Sequence, residues 1–354
     1  MSEPERGITL GDLEYELPDD LIAQTPVDPR DSSRLLVCRR DTGATEDRVF
    51  DELPSLLRAG DVLVRNDTRV FPARSYFHRE TGGRIEVLFL SMLTGPDSGS
   101  ERWEVLLRGR PRSEEVLESE AFGPDWPLRC IEPIGDGRWV VESLGAQPVL
   151  TLLEGGGVTP LPPYITAPLE DPERYQTTYA RHLGSAAAPT AGLHFTPELD
   201  AALASAGVAV ESVTLHVGLG TFKPLQNESL EATTLHSETF AVEAGVWARL
   251  CDARRDARRI VAVGTTSMRV LEHLARQEAT GVAGPLCGAT RLFIRPGFDF
   301  RVVGGLVTNF HLPRTSLLAL VMAFCGVEET RQIYRHAVRE RYRFYSFGDA
   351  MLAL

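Results

Sequence analysis

The sequence predicts an α/β fold in which a mixed sheet with packed helices is interrupted by an inserted small antiparallel β-barrel. Three observations predict it. Residues 71–157 read as short β-rich runs, RIEVLFLSML, RWEVLLRG, PLRCIE and RWVVESL, alternating with the turn segments GPDSGS, FGPDWP and IGDG. Closely spaced strands punctuated by turns build small barrels or sandwiches. Beyond residue 161, strands and helices alternate, which points to a parallel or mixed sheet. The stretch ELPDDLIAQTPVDPRDSSRLLV and the run DVLVRNDTRV are also sheet-like, so the barrel block interrupts the α/β domain rather than preceding it. Residues 1–70 and 158–354 are expected to form one discontinuous domain carrying the main site, with residues 71–157 as the insertion.

The later elements follow from local signals. Thr196 caps a helix with Pro197 at its first position, PELDAALAS continues it, and Gly207 ends it before the apolar run VAVESVTLHV. A helix over residues 246–258, the strand IVAVG and a helix opening at Thr266 or Ser267 repeat the pattern. Residues 286–310 return to β character, and residues 315–324 and 328–341 read as closing helices. With 354 residues, 43% of them hydrophobic, the chain can bury a large core in two domains.

Composition narrows the class. The acidic start MSEPERGITLGDLEYELPDDL has neither a basic end nor an apolar stretch, so no leader is expected. The most apolar window, residues 317–327, is too short to span a bilayer and suits a buried helix. Five widely spaced cysteines without a C-x-x-C pair argue against a disulfide framework and a zinc ribbon, and a reducing cytoplasm is the expected setting. The net charge of -12 argues against nucleic acid at first sight, but the arginines are clustered. One group is Arg249, Arg254, Arg255, Arg258 and Arg259; the other is Arg331, Arg335, Arg339, Arg341 and Arg343, interleaved with Tyr334, Tyr342, Phe344 and Tyr345. These segments are either RNA-binding surfaces or solvated helix faces.

Four histidines stand in turn-like or β-capable contexts: His194 in APTAGLHFT, His216 in TLHVGLGTF, His236 in TLHSETF and His311 in TNFHLPRTS. An imidazole titrates near neutrality, so four of them suggest one polar pocket assembled from distant segments. His236 and Glu238, two residues apart, would share a strand face. Gly218 and Gly220 either let backbone approach a ligand or serve a tight turn. Thr265 and Thr266 open a helix and, with Arg269 one turn in, make a site for a carboxylate or phosphate, or simply an N-cap. Asn66, Asp67, Thr68 and Arg69 follow the strand DVLV and either grip a ribose or carboxylate or open a turn. The histidine spacings do not fit zinc, and no G-x-S-x-G elbow, G-x-G-x-x-G or Walker loop occurs. No metal site is expected.

Assembled in order, ELPDDLIAQTPVDPRDSSRLLV, DVLVRNDTRVFPAR, TGGRIEVLFL, PLPPYI, ERYQTTYA, APTAGLHFT, TLHVGLGTF, AVGTTSMRVLE, TNFHLP and YRFYSFGDAML resemble the S-adenosylmethionine:tRNA ribosyltransferase-isomerase family of queuosine biosynthesis over nearly the whole chain. The resemblance implies a transferase that moves the ribosyl part of S-adenosylmethionine onto 7-aminomethyl-7-deazaguanine at the tRNA wobble position. The ribosyl group is rearranged to an epoxycyclopentanediol, giving epoxyqueuosine-tRNA, with adenine and methionine released. S-adenosylmethionine is then a consumed substrate, no further cofactor is needed, the tRNA anticodon stem-loop is the partner, and a cytoplasmic monomer is expected. The chain departs from the family pattern in three places. Thr233-Thr234-Leu235-His236-Ser237-Glu238 stands for H-x-M-H-S-E, Gly304 for an aspartate, and Arg108-Gly109-Arg110-Pro111-Arg112 for a K-P-G-R-R-like stretch.

From residue chemistry, His216 or His194 is expected to transfer the proton, with Glu238 orienting or neutralising and His311 near the leaving group. Thr265, Thr266 and Arg269 are expected to hold the methionine carboxylate, and Asn66 and Asp67 the ribose or base. Thr68, Arg69, Thr190, Gly218, Gly220 and Asn309 complete the expected substrate-binding set. A non-catalytic RNA-binding module and another S-adenosylmethionine-processing enzyme are the rival readings.

Overall fold

A computed structural model describes residues 8–95, 100–218, 225, 227, 229–279 and 286–354. Chain compactness divides it into two units, residues 1–69, 163–182 and 188–354 in one and residues 70–162 and 183–187 in the other.

The first unit is built on a mixed sheet. In chain order its strands are β1 (Arg34–Cys38), β2 (Thr45–Val49) and β3 (Val62–Asn66), followed after the second unit by β12 (Ala209–Leu215), β13 (Glu238–Ala241), β14 (Ile260–Val263), β15 (Cys287–Thr290), β16 (Val303–Asn309) and β17 (Ala350–Ala353). Among the described residues the order across the sheet is β15-β13-β12-β3-β14-β16-β17-β1-β2. The central strands β12, β3, β14 and β16 run parallel, while β13, β15, β17 and β2 introduce antiparallel pairs. Parallel strands need crossovers, and helices supply them. The helix α3 (Pro197–Ser205) precedes β12, α4 (Ala244–Arg255) precedes β14, and α5 (Gly264–Ala279) follows β14 and packs across β12, β3, β14 and β16. All four central strands therefore present their carboxyl ends, residues 66, 215, 263 and 309, on one edge, where open α/β sheets bind ligands.

The apolar pattern explains the burial. Central strand β14 is buried at all four residues, as a strand covered on both faces must be. Leu35, Val37, Phe50, Leu63, Phe195, Leu199, Val261 and Leu352 belong to a single core cluster. Thr196 caps α3 through its side chain, which accepts from the Leu199 amide, and Thr315 does the same for α6 (Ser316–Cys325) with Leu318. The final helix α7 (Val327–Arg339) packs on α6. No described helix is long and apolar enough to cross a membrane.

The second unit holds a closed antiparallel barrel, in the order β10-β7-β6-β5-β8-β9. Its strands are β5 (Arg74–Arg79), β6 (Arg84–Thr94), β7 (Glu101–Arg108), β8 (Val116–Ser119), β9 (Gly123–Gly135) and β10 (Arg138–Ser143). Alternation along β7 puts Trp103, Val105 and Leu107 inside. The barrel centre is aromatic: Trp126 lies edge-on to Phe77 at 5.1 Å and stacks on Phe89 at 5.7 Å.

Three local expectations are corrected. The stretch read as sheet at residues 16–33 is irregular, with short 3-10 turns at Asp19–Leu21 and Arg30–Ser32; Pro18, Pro26 and Pro29 remove donors that a strand ladder needs. The FGPDWP turn instead enters β9, which begins at Gly123. Helix α5 opens at Gly264 rather than Thr266. Gly264 has a φ of +84°, a left-handed backbone that glycine adopts without a Cβ penalty, and this lets the helix start directly at the strand end.

Candidate active site

The carboxyl edge of the parallel strands opens into a cavity with about 630 Å³ of empty space, solvent at its mouth included, in the place where open α/β sheets bind ligands. Thr190 and Ala191 come from a short 3-10 turn at Thr190–His194; Gly264, Thr265 and Thr266 come from the start of α5. Thr308, Asn309 and His311 come from the end of β16, Val217 from beyond β12, and Tyr164, Tyr345 and Ser346 from loops. The hydroxyl of Thr266 is buried without a hydrogen-bond partner among the described residues. It sits at the amino end of a helix whose first amides lack intrahelical acceptors, a favourable place for an anion. Thr265 lines the same wall.

Asn309 joins the strand end to the 3-10 turn. The Thr190 hydroxyl donates to its Oδ1 at 2.8 Å, and its amide nitrogen faces the Asp349 carbonyl at 3.4 Å and His194 Nε2 at 3.3 Å. A carbonyl can only accept, so the amide nitrogen donates, and His194 Nε2 is an acceptor. The proton therefore sits on Nδ1, which donates to Ser33 Oγ at 2.8 Å. Burial pushes His194 down to about 4, with the Arg30 carbonyl opposing and the Arg30 and Arg343 cations adding to the shift. Gly192 makes this turn possible, since a Cβ there would lie 2.1 Å from the Tyr179 hydroxyl. Both nitrogens of His194 are engaged, and the ring clamps the 3-10 turn to Ser33 and to the end of β16.

His311 lines the cavity, with Nε2 held by Thr308 Oγ1 at 2.9 Å. Burial pushes it down to about 3, so it stays neutral and is too weak a base to match a proton transfer at neutral pH.

His216 differs from both. Its Nδ1 lies 2.8 Å from Thr68 Oγ1, and the Thr68 hydroxyl also points to the His182 carbonyl at 3.4 Å. That carbonyl draws the hydroxyl proton, so Nδ1 donates to Thr68 and Nε2 carries a lone pair. Nε2 has no hydrogen-bond partner among the described residues. Burial lowers the pKa of His216, His182 lowers it further, and Asp67 opposes. His216 is not itself a wall residue of the cavity; its chain neighbour Val217 is.

The Asn66–Arg69 cluster supports this histidine rather than gripping a ligand. Fully buried Asn66 bridges two strand ends, donating to Leu215 O at 2.9 Å and accepting from Leu215 N at 3.0 Å. Both ends of its amide are committed to backbone, which corrects its expected substrate role. Asp67 accepts from Thr214 Oγ1 at 2.7 Å, Thr68 orients His216, and Arg69 pairs with Glu173 at 2.7 Å on the surface. The cluster thus fixes the register in which β12 delivers His216.

Glu238 is paired with Arg269, and both are buried. Gly218 N donates to Glu238 at 3.3 Å and Arg269 Nε to Leu292 O at 3.0 Å. Glu238 therefore neutralises an arginine, not a histidine, and Arg269 keeps one buried nitrogen, Nη2, without a hydrogen-bond partner among the described residues. His236 is exposed while Glu238 is buried, so the expected shared face is absent. Gly220 lies outside the described residues. Removing one partner of a buried pair strands the other charge, at a cost of about 3–5 kcal/mol. Glu238→Gln is expected to lower stability by roughly 3 kcal/mol in urea denaturation, with much of the loss recovered in the double variant Glu238→Leu, Arg269→Met.

The arginine clusters are laced with carboxylates. Arg331 pairs with Asp12 and Glu328, Arg335 with Glu328, Arg339 with Glu340 and Arg341 with Asp20. Arg249, Arg254, Arg255 and Arg259 pair with Glu211, Glu278, Asp252 and Asp61. Tyr334, Tyr342, Phe344 and Tyr345 are buried, the first three packed on Phe310 rather than offered to bases. Gly304 is the extra residue of a bulge opposite Ile260 and Val261, at the end of β16 away from the cavity. Among the described residues, no group of His, Cys, Asp and Glu is arranged to hold a metal ion.

Sequence reasoning missed Ser33, Tyr164 and Asp349, and placed Tyr345 in an RNA-facing segment rather than in the cavity wall. Each lies in a string that was quoted, but nothing in its spacing distinguishes a cavity wall or a clamp from ordinary core.

Comparisons with known proteins agree with this architecture. A family profile described as Queuosine biosynthesis protein matches residues 10–353. A relative from Symbiobacterium thermophilum, named S-adenosylmethionine:tRNA ribosyltransferase-isomerase, is 48% identical over 347 residues, covering 98% of this chain and 99% of its own. A relative of the same name from Moorella thermoacetica is 49% identical over 350 residues, covering 97% and 99%. The crystal structure of the S-adenosylmethionine tRNA ribosyltransferase from Thermotoga maritima has 35% identity and a TM-score of 0.54, covering 97% of this chain and 100% of that one. A profile matched almost end to end, with relatives near half identity over their full lengths, means that this chain belongs to the queuosine biosynthesis protein family.

Proposed function

We propose that this chain carries out S-adenosylmethionine:tRNA ribosyltransferase-isomerase chemistry. It transfers the ribosyl moiety of S-adenosylmethionine to 7-aminomethyl-7-deazaguanine at the wobble position and rearranges it, giving epoxyqueuosine-tRNA, adenine and methionine. The observation that carries the reading is the cavity at the carboxyl ends of β12, β14 and β16. It sits at the start of α5, in a chain that aligns end to end with relatives of that name. The anticodon stem-loop is the proposed RNA partner of a cytoplasmic monomer. The exposed Arg110 of the barrel unit, which lacks a carboxylate partner among the described residues, is a proposed phosphate contact.

The sulfonium acidifies the adjacent C5′ position, so a neutral imidazole is a sufficient base, and His216 Nε2 is assigned that step. The unpartnered Thr266 hydroxyl and the first amides of α5 hold the methionine carboxylate. His311, neutral throughout the physiological range, and Asn309 line the wall against which the leaving adenine is positioned. S-adenosylmethionine is consumed as the ribosyl donor, and the scheme needs no further cofactor.

The protein, S-adenosylmethionine and tRNA bearing the 7-aminomethyl base are expected to release adenine and methionine in equal amounts, with release dependent on that tRNA. Adenine release without tRNA, or methyl transfer, would point to another S-adenosylmethionine enzyme. RNA binding without adenine release would point to a binding module.

A further inference from the structure

A second, smaller cavity lies next to the first, with about 250 Å³ of empty space, lined by Arg30, Arg174, His194, Ser346 and apolar neighbours. Ser346 lines both cavities, and the His194–Asn309 hydrogen bond joins a wall residue of one to a wall residue of the other. Two guanidiniums face this small space. Arg30 is held in place by backbone carbonyls, those of Gln176 at 2.9 Å, Leu193 at 3.2 Å and Glu173 at 2.8 Å. It forms no ion pair among the described residues.

Arg174 donates to Val27 O and reaches Asp28 Oδ1 at 3.0 Å. The Asp28 side chain is 84% exposed, so water screens that pair. The Nε of Arg174 is buried without a hydrogen-bond partner. The other nearby carboxylates have their own partners: Glu173 pairs with Arg69, and Asp171 accepts from the Glu173 amide. Burial, and then the Arg174 cation, hold Arg30 below its ordinary pKa. Two rigid cations with carbonyl ligands and no buried counter-charge make a place for a doubly hydrogen-bonded anion, and arginine forks match phosphate oxygens.

Resting on the reading of this chain as a tRNA-modifying enzyme, we propose that Arg30 and Arg174 form a phosphodiester subsite. It holds a backbone phosphate of the RNA beside the cavity that takes S-adenosylmethionine. Ser346 and the His194–Asn309 bond form the partition between the phosphate and the reacting groups. The RNA phosphate is thereby fixed relative to the reacting cavity by the same clamp that shapes the cavity wall.

The test compares tRNA binding by the full-length protein across a salt series. Arg174→Gln is expected to raise the tRNA Kd about tenfold and to reduce the slope of log K against log salt by about one charge. Arg174→Lys should keep the slope, and S-adenosylmethionine KM should stay within about twofold in both variants. Asp28→Asn, at an exposed residue, removes the competing carboxylate and should tighten tRNA binding several-fold, which tests the subsite even if Arg174→Gln does not fold. A wild-type slope in Arg174→Gln, or no tightening in Asp28→Asn, overturns the proposal. Failure of the wild-type protein to release adenine would overturn the enzymatic reading and leave the slope comparison intact.

Discussion

Replacing His216 with alanine is expected to slow turnover by roughly 10²–10⁴-fold, the usual worth of a positioned general base, while KM for S-adenosylmethionine and the unfolding midpoint stay near wild type. The expectation rests on one geometric distinction. His194 has both ring nitrogens engaged, His311 is buried and pushed down to about 3, and half-buried His216 presents Nε2 free of hydrogen bonds within the described residues. Its half-buried position lowers its pKa below the ordinary 6.5, so the neutral, proton-accepting form dominates at pH 7. The rate should therefore hold as pH falls through 6.5 and drop only at lower pH, where the imidazole protonates, and added imidazole should restore part of the activity of His216→Ala. Thr68→Val is expected to lower kcat less, because it loosens the ring without removing the base. A His216→Ala enzyme with wild-type kcat and an unchanged acid limb would remove His216 from the chemistry.

A second large effect concerns stability against acid. His194 is pushed down to about 4 and His311 to about 3, both mainly by burial. In the unfolded chain each titrates near 6.5. Between those values the unfolded chain binds protons that the folded chain refuses. The stability contributed by the neutral rings is therefore complete above pH 6.5 and is lost as pH falls toward 4 and below. Each group is worth roughly 2–3 kcal/mol between pH 7 and 4.5, a large share of a typical domain's stability. Salt-bridged carboxylates such as Glu115, held down chiefly by Arg79, lose their contribution only at lower pH, so the histidines dominate this window. Urea denaturation at pH 7 and pH 4.5 should show the loss. His194→Gln, which keeps a donor and an acceptor without the titration, should be less stable at pH 7 and flatter in its pH dependence.

Much of the fold was legible because local physics and global architecture agree. The Thr196–Pro197 helix start, the Gly207 stop and the IVAV strand between two helices each follow from capping, glycine and apolar patterning, and each appears where expected. The inserted barrel was legible from strand and turn alternation. The prolines at residues 18, 26 and 29 were the missed signal at the N-terminus, where they replace sheet by irregular chain with short 3-10 turns.

The site was legible as a list of strings but not as a set of roles. Sequence placed Thr190, Thr265, Thr266, Asn309 and His311 among ligand-favourable loops, and the structure brings them to one cavity. It could not show that Asn66 would turn inward onto Leu215, or that Glu238 would meet Arg269 across 31 residues. Such partners depend on strand register and helix rotation, which only the folded chain sets. The ion pairs of the arginine clusters were illegible for the same reason: charge density along the sequence says nothing about the carboxylates that another element brings opposite.

The central claim is that this chain transfers the ribosyl carbons of S-adenosylmethionine to the wobble base. The most direct test is mass spectrometry of the wobble nucleoside after incubation with S-adenosylmethionine carrying isotope in either the ribose or the methyl group. The account predicts that the ribose label appears in the nucleoside, with adenine and methionine released and the methyl label retained in methionine. Methyl label in the nucleoside, or ribose label left with adenine, would contradict it.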